Sequence, residues 1–309
     1  MHMMYRGAKM NAEYKKHGII LLGIIVVICI VSAMVFQNEN NNETKVTKGK
    51  ESEMDVYLLH EDMLLCYPTL SEAKDSSGKI KEIVHYLGQS AASFKALLKE
   101  GTQLNQVSVK EGIATLDFEK LKYDKARERK LLESLIFSST QFADVNAIQI
   151  SIKGKVLTNM PMNNTPLNET TRSFGINHVD TNQLYLHKGN EVVLYYQRVV
   201  DNKKYEVARS IRLNQRDDYN EIMNVILSAP NGSYQLDQPL ANKNVIMEKP
   251  VNFEDGVLHL YLSKNILASN TKLDKECKEY LVRDFSSFDA IRSLKIHVDK
   301  KTYDVIIKK

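Results

Sequence analysis

The sequence predicts an α+β fold: an N-terminal transmembrane helix followed by two tandem small domains, each a mostly antiparallel sheet packed by two helices. Three observations predict it. One apolar run near the N-terminus carries no charge, a strand–helix–strand order occurs twice, and Gly-containing turns fall at matching places in both copies. The first copy runs from Gly101 through Gly112 and Phe118, along an apolar-striped stretch to Gln141-Phe142, and closes in Val145–Gly154. The second keeps the order: Asn244–Glu248, a Glu254-Asp255-Gly256 turn, Leu258–Leu262, a helix through Phe285, then Ile291–Val298.

The apolar run spans residues 18–36, nineteen residues without a charge. As an α-helix it is about 28 Å long, close to the hydrocarbon thickness of a bilayer. Residues 1–17 carry Arg6, Lys9, Lys15 and Lys16, whereas no Lys or Arg follows the run before Lys45. The positive-inside rule puts 1–17 in the cytosol and the bulk outside, a single-pass cell-membrane topology. The run continues through Met34-Val35-Phe36 beyond the small-residue site at Val31-Ser32-Ala33, favouring an uncleaved anchor over a cleaved signal peptide. Cys29 follows Val26-Val27-Ile28, without the small residue that lipid attachment wants. Residues 37–54, polar and Asn-rich, read as a flexible tether.

The first domain is read as 55–155. Val56–Leu59 and Met63–Tyr67 are short strands about His60-Glu61-Asp62. Lys79–Leu87 puts Ile80, Ile83, Val84 and Leu87 on one helical face, and Ser90–Leu98 continues the helical propensity beyond Gly88. Gln103–Val109 and Ile113–Phe118 form a hairpin about Lys110-Glu111-Gly112. Asp124–Phe142 is the strongest helix, striped by Leu131, Leu132, Leu135, Ile136 and Phe142, and Val145–Ile152 is the closing strand. Residues 156–182, with Pro161 and Pro166, are the linker. The second domain is 183–309. Leu184–His187, Glu191–Val199 and Tyr205–Leu213 read as strands, the last two joined at Asp201-Asn202. Asp217–Leu227 and Leu273–Phe285 read as helices, the latter opened by a Thr271-x-x-Asp274 capping box, and Ile291–Val298 with Thr302–Ile307 as a final hairpin about Asp299.

Residues 55–155 carry Val56-Tyr57-Leu58, a helix around Ile83–Leu87, Gly101-Thr102-x-Leu104 and Val107-Ser108-Val109-x-x-Gly112-x-Ala114-x-Leu116-Asp117-Phe118. They end in Leu135–Phe142 and Val145-x-x-Ile148-x-Ile150-x-Ile152-x-Gly154. This pattern resembles the GerMN domain, a sporulation and spore-germination module of Gram-positive bacteria. The second unit resembles it through Asp255–Leu260 and Ile291–Val298 but lacks the Gly-Thr-x-Leu and Thr-Gln-Phe elements. The resemblance implies a fold similar to the ring-building motifs of secretion systems, and a part in the assembly between mother cell and forespore.

Composition fits a globular outer part: of 309 residues, 43% are hydrophobic and 26% charged, with a net charge of +4. Basic residues alternate with acids, as in 125–130, which reads as a solvated helix face and not as a nucleic-acid stripe. No nucleic-acid partner is expected. Cys66 and Cys277 would have to bridge the two domains to form a disulfide, and no spacing rule supports that. There is no nucleophile elbow, His-Glu-x-x-His, P-loop, dinucleotide fingerprint or calcium loop. His85, His259 and His297 read as partly exposed helix or strand residues, and Glu111 and Glu254-Asp255 as turn residues. No catalytic, cofactor-binding or metal-binding residue is assigned, and no cofactor is implied.

Two functions are weighed. The first is a non-catalytic, membrane-anchored extracytoplasmic scaffold, held by 18–36, that docks other envelope or sporulation-complex proteins, with homo-oligomers left open. Its candidate docks are the strand edges Val145–Ile152 and Thr302–Ile307. The alternative is a cell-envelope sensor or enzyme accessory binding cell-wall fragments, in which aromatics such as Tyr195, Tyr196, Tyr234 and Tyr261 would line a sugar groove.

Overall fold

The computed structural model describes residues 52–90, 93–168, 170–178, 190–230, 235–269 and 271–307. The expected anchor at 18–36, nearly all of the tether and the expected strand at Leu184–His187 lie outside them. Among the described residues, no helix is long and apolar enough to cross a membrane. The architecture is mixed α+β.

The elements of the first half are β1 (Ser52–His60), β2 (Met63–Ser71), α1 (Ser76–Leu87), β3 (Gln103–Lys110), β4 (Ile113–Lys120), α2 (Glu128–Ser139), β5 (Ala147–Ile152) and β6 (Lys155–Val156). The second half contributes β7 (Glu191–Val200), β8 (Lys203–Arg212), α3 (Tyr219–Leu227), α4 (Pro239–Asn242), β9 (Met247–Glu254) and β10 (Val257–Leu262). It continues with β11 (Leu267–Ser269), β12 (Lys272–Leu273), α5 (Lys275–Phe285), β13 (Ser293–Val298) and β14 (Lys301–Ile306).

The repeat is real at the level of backbone hydrogen bonds. In each copy a hairpin is followed by a helical crossover to a parallel strand: β4 runs parallel to β5, with Leu116 beside Ile150, and β10 parallel to β13, with Leu260 beside Ile296. The hairpin turns match as well. Glu111-Gly112 and Asp255-Gly256 both take positive φ at each central residue, 52° and 77° in the first and 50° and 77° in the second. Each glycine carbonyl then accepts from the residue that leads into the parallel strand, Asn146 N–H at 2.7 Å and Arg292 N–H at 2.8 Å. At φ of 77° both Gly112 and Gly256 hold a left-handed backbone that strains any residue with a side chain, and a Cβ there would also push aside the side chains of Asn146 and Arg292. Apolar residues at alternate positions fill the space between sheet and helix: Ala114, Leu116, Phe118, Ile148 and Ile150 in one copy, Leu258, Leu260, Leu262, Leu294 and Ile296 in the other, all at most 1% exposed.

One sheet per domain is not what the chain builds. The opening hairpins of the two halves pair with each other into a shared sheet of order β1-β2-β8-β7, where Cys66 of β2 lies opposite Glu206 of β8. Each half keeps a second sheet of its own, β3-β4-β5-β6 and β14-β13-β10-β9, and these are mixed and not antiparallel throughout. The sequence hides this because the hairpins are apolar on both faces. Val56, Tyr57, Leu64 and Leu65 are buried at successive positions, as are Leu194, Tyr195 and Tyr196, so no face is left to declare an outer side.

The connection between the halves is packed where it is described. Asn159 and Pro166 form a β-bridge, and Ile176-Asn177 wedges between β2 and β8. The Asn177 side chain accepts from Leu64 N–H at 2.9 Å and donates to Leu64 C=O at 2.7 Å and Ala208 C=O at 2.9 Å. Its φ of 48° is one that asparagine tolerates better than most residues. Beside it, Ser210 N–H donates to Ile176 C=O at 2.8 Å. Tyr67 stacks on Tyr205 across the same junction and Phe94 meets both rings edge-on, with centroids 5.3–6.1 Å apart.

Several expected boundaries shift. Ser90–Leu98 is not helical at its described residues. Lys95 N–H instead bonds Leu59 C=O, and Leu97 and Leu98 N–H both bond Leu87 C=O, a loop folded back onto the helix end. The α2 helix starts at Glu128, after a 3₁₀ turn at Lys125–Arg127, and stops at Ser139. Thr140 ends it by turning its hydroxyl onto Ile136 C=O at 2.8 Å. In α5 the cap is Asp274, which accepts from Cys277 N–H at 3.0 Å, and not Thr271. The charged run 125–130 is not uniformly solvated. Glu128 is fully buried and accepts from Tyr123, Thr165, Met162 N–H and Asn163 N–H.

Candidate functional site

Strand edges come first, since they were the expected docks. The Val145–Ile152 edge is closed: β6 pairs Ser151 and Ile152, Leu157 N–H bonds Ile150 C=O, and Ile148 N–H bonds Thr170 C=O. The 301–306 edge is different. β14 is the end strand of its sheet, and its Ile306 is 74% exposed.

The aromatic residues proposed to line one groove do not converge. Tyr195 and Tyr196 are neighbours on β7 and point to opposite faces, Tyr261 lies on the outer face of the β10 sheet, and Tyr234 is outside the described residues. His85 is exposed on α1 beside Gln89. His259 and His297, separate in the sequence, stack at 5.3 Å with Nδ1 of one 3.0 Å from Nε2 of the other, and Tyr261 stacks on His297 at 4.6 Å. Burial first, then the neighbouring His259, holds the His297 pKa below the usual value. Among the described residues no group of three His, Cys, Asp or Glu side chains is placed to hold a metal ion. Cys66 and Cys277 are buried free thiols, and burial pushes the Cys277 pKa up to about 12, so neither is a ready nucleophile.

A cleft of about 910 Å³ lies where the two halves meet. Its lining includes Arg129, Arg172, Arg212, Arg216 and Arg283 against the acids Asp55 and Glu191, with Tyr57, Phe174, Tyr195 and Phe288 as its rings. The repeat positions its floor. Tyr57 of β1 is held by α2, whose Ser138 hydroxyl accepts from Tyr57 N–H at 2.9 Å while the Ser134 hydroxyl donates to Tyr57 C=O at 2.6 Å. Tyr195 of β7 is held by α5, where Asp284 accepts its N–H at 2.8 Å. The Gln141 of the Thr-Gln-Phe element clamps both backbone groups of Asp55, at 2.8 and 2.7 Å, which gives that motif a structural task.

Charge in the cleft is arranged in two groups. In one, Arg283 stacks on Tyr195 at 4.9 Å and reaches Glu206 at 3.1 Å and Asp55 at 3.6 Å, while Arg172 lies over Phe137 at 4.9 Å and donates to Thr140. In the other, His178 sits between Glu133 at 3.9 Å and Glu191 at 2.9 Å, flanked by Arg129 and Arg212. Burial works to raise the Glu133 pKa, but His178, Lys130, the Asn177 N–H and Arg129 overcome it and hold the carboxyl at about 2. His178 holds Glu191 at about 2 as well, and the two carboxylates raise the His178 pKa.

Asp284 is the opposite case. It is fully buried, one of its oxygens has no partner, and burial drives its pKa well above the ordinary value. A raised carboxyl pKa costs stability once the pH exceeds the unfolded value of 3.8. Asp284→Asn keeps the acceptor for Tyr195 N–H and removes that cost. The expected result is a gain of about 1–2 kcal/mol at pH 7 that vanishes below about pH 4, measured by thermal melting across pH.

Of the cleft residues, the sequence singled out Tyr195 as a groove-lining ring, and Tyr57 and Gln141 only as motif positions; none of the charged residues was singled out. The arginines are scattered from 129 to 283 without a shared spacing, and only the pairing of the two hairpins brings them together.

Residues 55–158 match the family model Germane, described as sporulation and spore germination. The Bacillus subtilis (strain 168) spore germination protein GerM is 24% identical over 283 residues, covering 86% of this chain and 77% of that protein. The solved tandem GerMN domains of the sporulation protein GerM from Bacillus subtilis superpose with a TM-score of 0.68 at 22% identity, over 82% of this chain and 92% of that one. That likeness establishes the tandem fold.

Proposed function

Residues 55–158 are a Germane domain, and from that premise we propose that the chain is a non-catalytic scaffold of the cell envelope acting in sporulation or spore germination. The single observation that carries the reading is the similarity to the spore germination protein along most of the chain. In this reading residues 18–36 anchor the chain, the bulk is extracytoplasmic, and partners are other envelope or sporulation proteins. The β14 edge is the dock, since it is the end strand of its sheet among the described residues and Ile306 offers an apolar anchor.

Loss of the chain in its host should lower the yield or the germination of heat-resistant spores, and normal values of both would overturn the reading. For the dock, crosslinking in the native host should capture a partner with the intact chain and lose it with Ile306→Asp. Full capture by that variant would remove β14 as the contact.

A further inference from the structure

We propose that the cleft between the two halves binds an oxyanion-bearing small molecule through Tyr57, Arg172 and Arg283. Two buried donors there lack an acceptor, and a third group, Arg172, lacks a counter-charge. Tyr57 is 1% exposed and lines the cleft, yet its hydroxyl has no hydrogen-bond partner. Arg283 uses its Nη2 on Glu206 and Asp55, which leaves its buried Nε–H unpartnered. Arg172 lines the same cleft and donates to the Thr140 hydroxyl and the Phe137 C=O, but makes no ion pair among the described residues, and neither does Arg216. Unsatisfied buried donors cost roughly 1–3 kcal/mol each, so folded proteins rarely keep them without a use.

The charge balance agrees. Of the five arginines that line the cleft, Arg129 is paired with Glu133, Arg212 with Glu191, and Arg283 with Glu206 and Asp55, which leaves the charges of Arg172 and Arg216 without an ion pair among the described residues. Guanidinium forks suit the planar or tetrahedral oxygens of carboxylate and phosphate. At about 910 Å³ the space exceeds a lone ion, and it falls at the upper end of the roughly 300–1,000 Å³ of small-molecule sites. The rings of Phe174, Tyr195 and Phe288 give the rest of the molecule a surface to lie on. The ligand class is therefore a ring-sized body carrying phosphate or carboxylate.

Calorimetric titration of the full-length chain in mild detergent tests this with glucose 6-phosphate, glucuronate and glucose as probes. Saturable binding by at least one acidic sugar, with glucose at least about 10-fold weaker, is the expected result. Which acid binds separates the phosphate source from the carboxylate source. Tyr57→Phe, which removes only the orphan hydroxyl, should weaken binding about 5-fold. Arg172→Gln should weaken it about 10-fold or more. Both variants should melt within a few degrees of the parent, which separates lost binding from lost fold. No saturation by either acid up to about 10 mM, or parental affinity in both variants, overturns the proposal.

Discussion

Replacing Asn177 with alanine should destabilise the protein by about 3–5 kcal/mol, one of the two largest single effects expected outside the apolar cores. The side chain is 2% exposed and closes three backbone bonds at once, to Leu64 N–H, Leu64 C=O and Ala208 C=O. Alanine orphans all three in a place that water does not reach, and each orphan carries its own desolvation cost. The positive φ of 48° adds strain for alanine. Because one bond set lies on β2 and the other on β8, the loss falls on the seam between the halves and not on either half alone. Chemical denaturation of the parent and the variant measures it. A change below about 1 kcal/mol would mean that the seam holds without the wedge.

Glu133→Gln should cost about 3–5 kcal/mol at neutral pH, because it breaks a buried ionic network by removing one partner. Glu133 is 1% exposed and engages Arg129 at 3.0 Å and Lys130 at 3.1 Å, and it accepts from Asn177 N–H at 3.1 Å. The pH dependence has a fixed sign. A carboxyl held at about 2 when folded and 4.5 when unfolded gives stability that is present above 4.5 and is lost as the pH falls toward 2. Glu191 adds loss in the same window. The raised His178 contributes below its ordinary 6.5 and is lost as the pH rises through its folded value. The parent should therefore lose stability on both sides, and the variant should show a shallower acid limb. Equal acid limbs would contradict the assignment. Since Glu133 and Asn177 touch, the double variant should cost less than the sum of the singles.

How much of this was legible depends on the kind of signal. Hairpin turns were plain, because Glu111-Gly112, Asp201-Asn202 and Asp255-Gly256 are residue pairs that the left-handed region accepts, and each takes it. The α1 stripe of Ile80, Ile83, Val84 and Leu87 was plain for the same reason that any one-sided helix is. The end of α2 was not, since Phe142 stays packed against the core after the helix has stopped and so prolongs the apolar stripe. The shared sheet was hidden more deeply. Its seam is specified by one asparagine in a segment that reads as linker and by strands apolar on both faces, and neither has a period. The cleft inherits that opacity. Tyr57 and Tyr195 occupy matching strands of the repeat, but nothing local in the sequence says that their strands lie in one sheet with arginines from four other segments around them.

The central claim is that the tandem halves are one interlocked body and not two domains on a linker. Native-state hydrogen exchange under mild denaturant tests it most directly. The account predicts that amides of β2 and β8 open with the same free energy, and that Asn177→Ala lowers both by the same amount. Exchange of β8 at a lower free energy while β2 keeps its protection, in the parent protein, would contradict it.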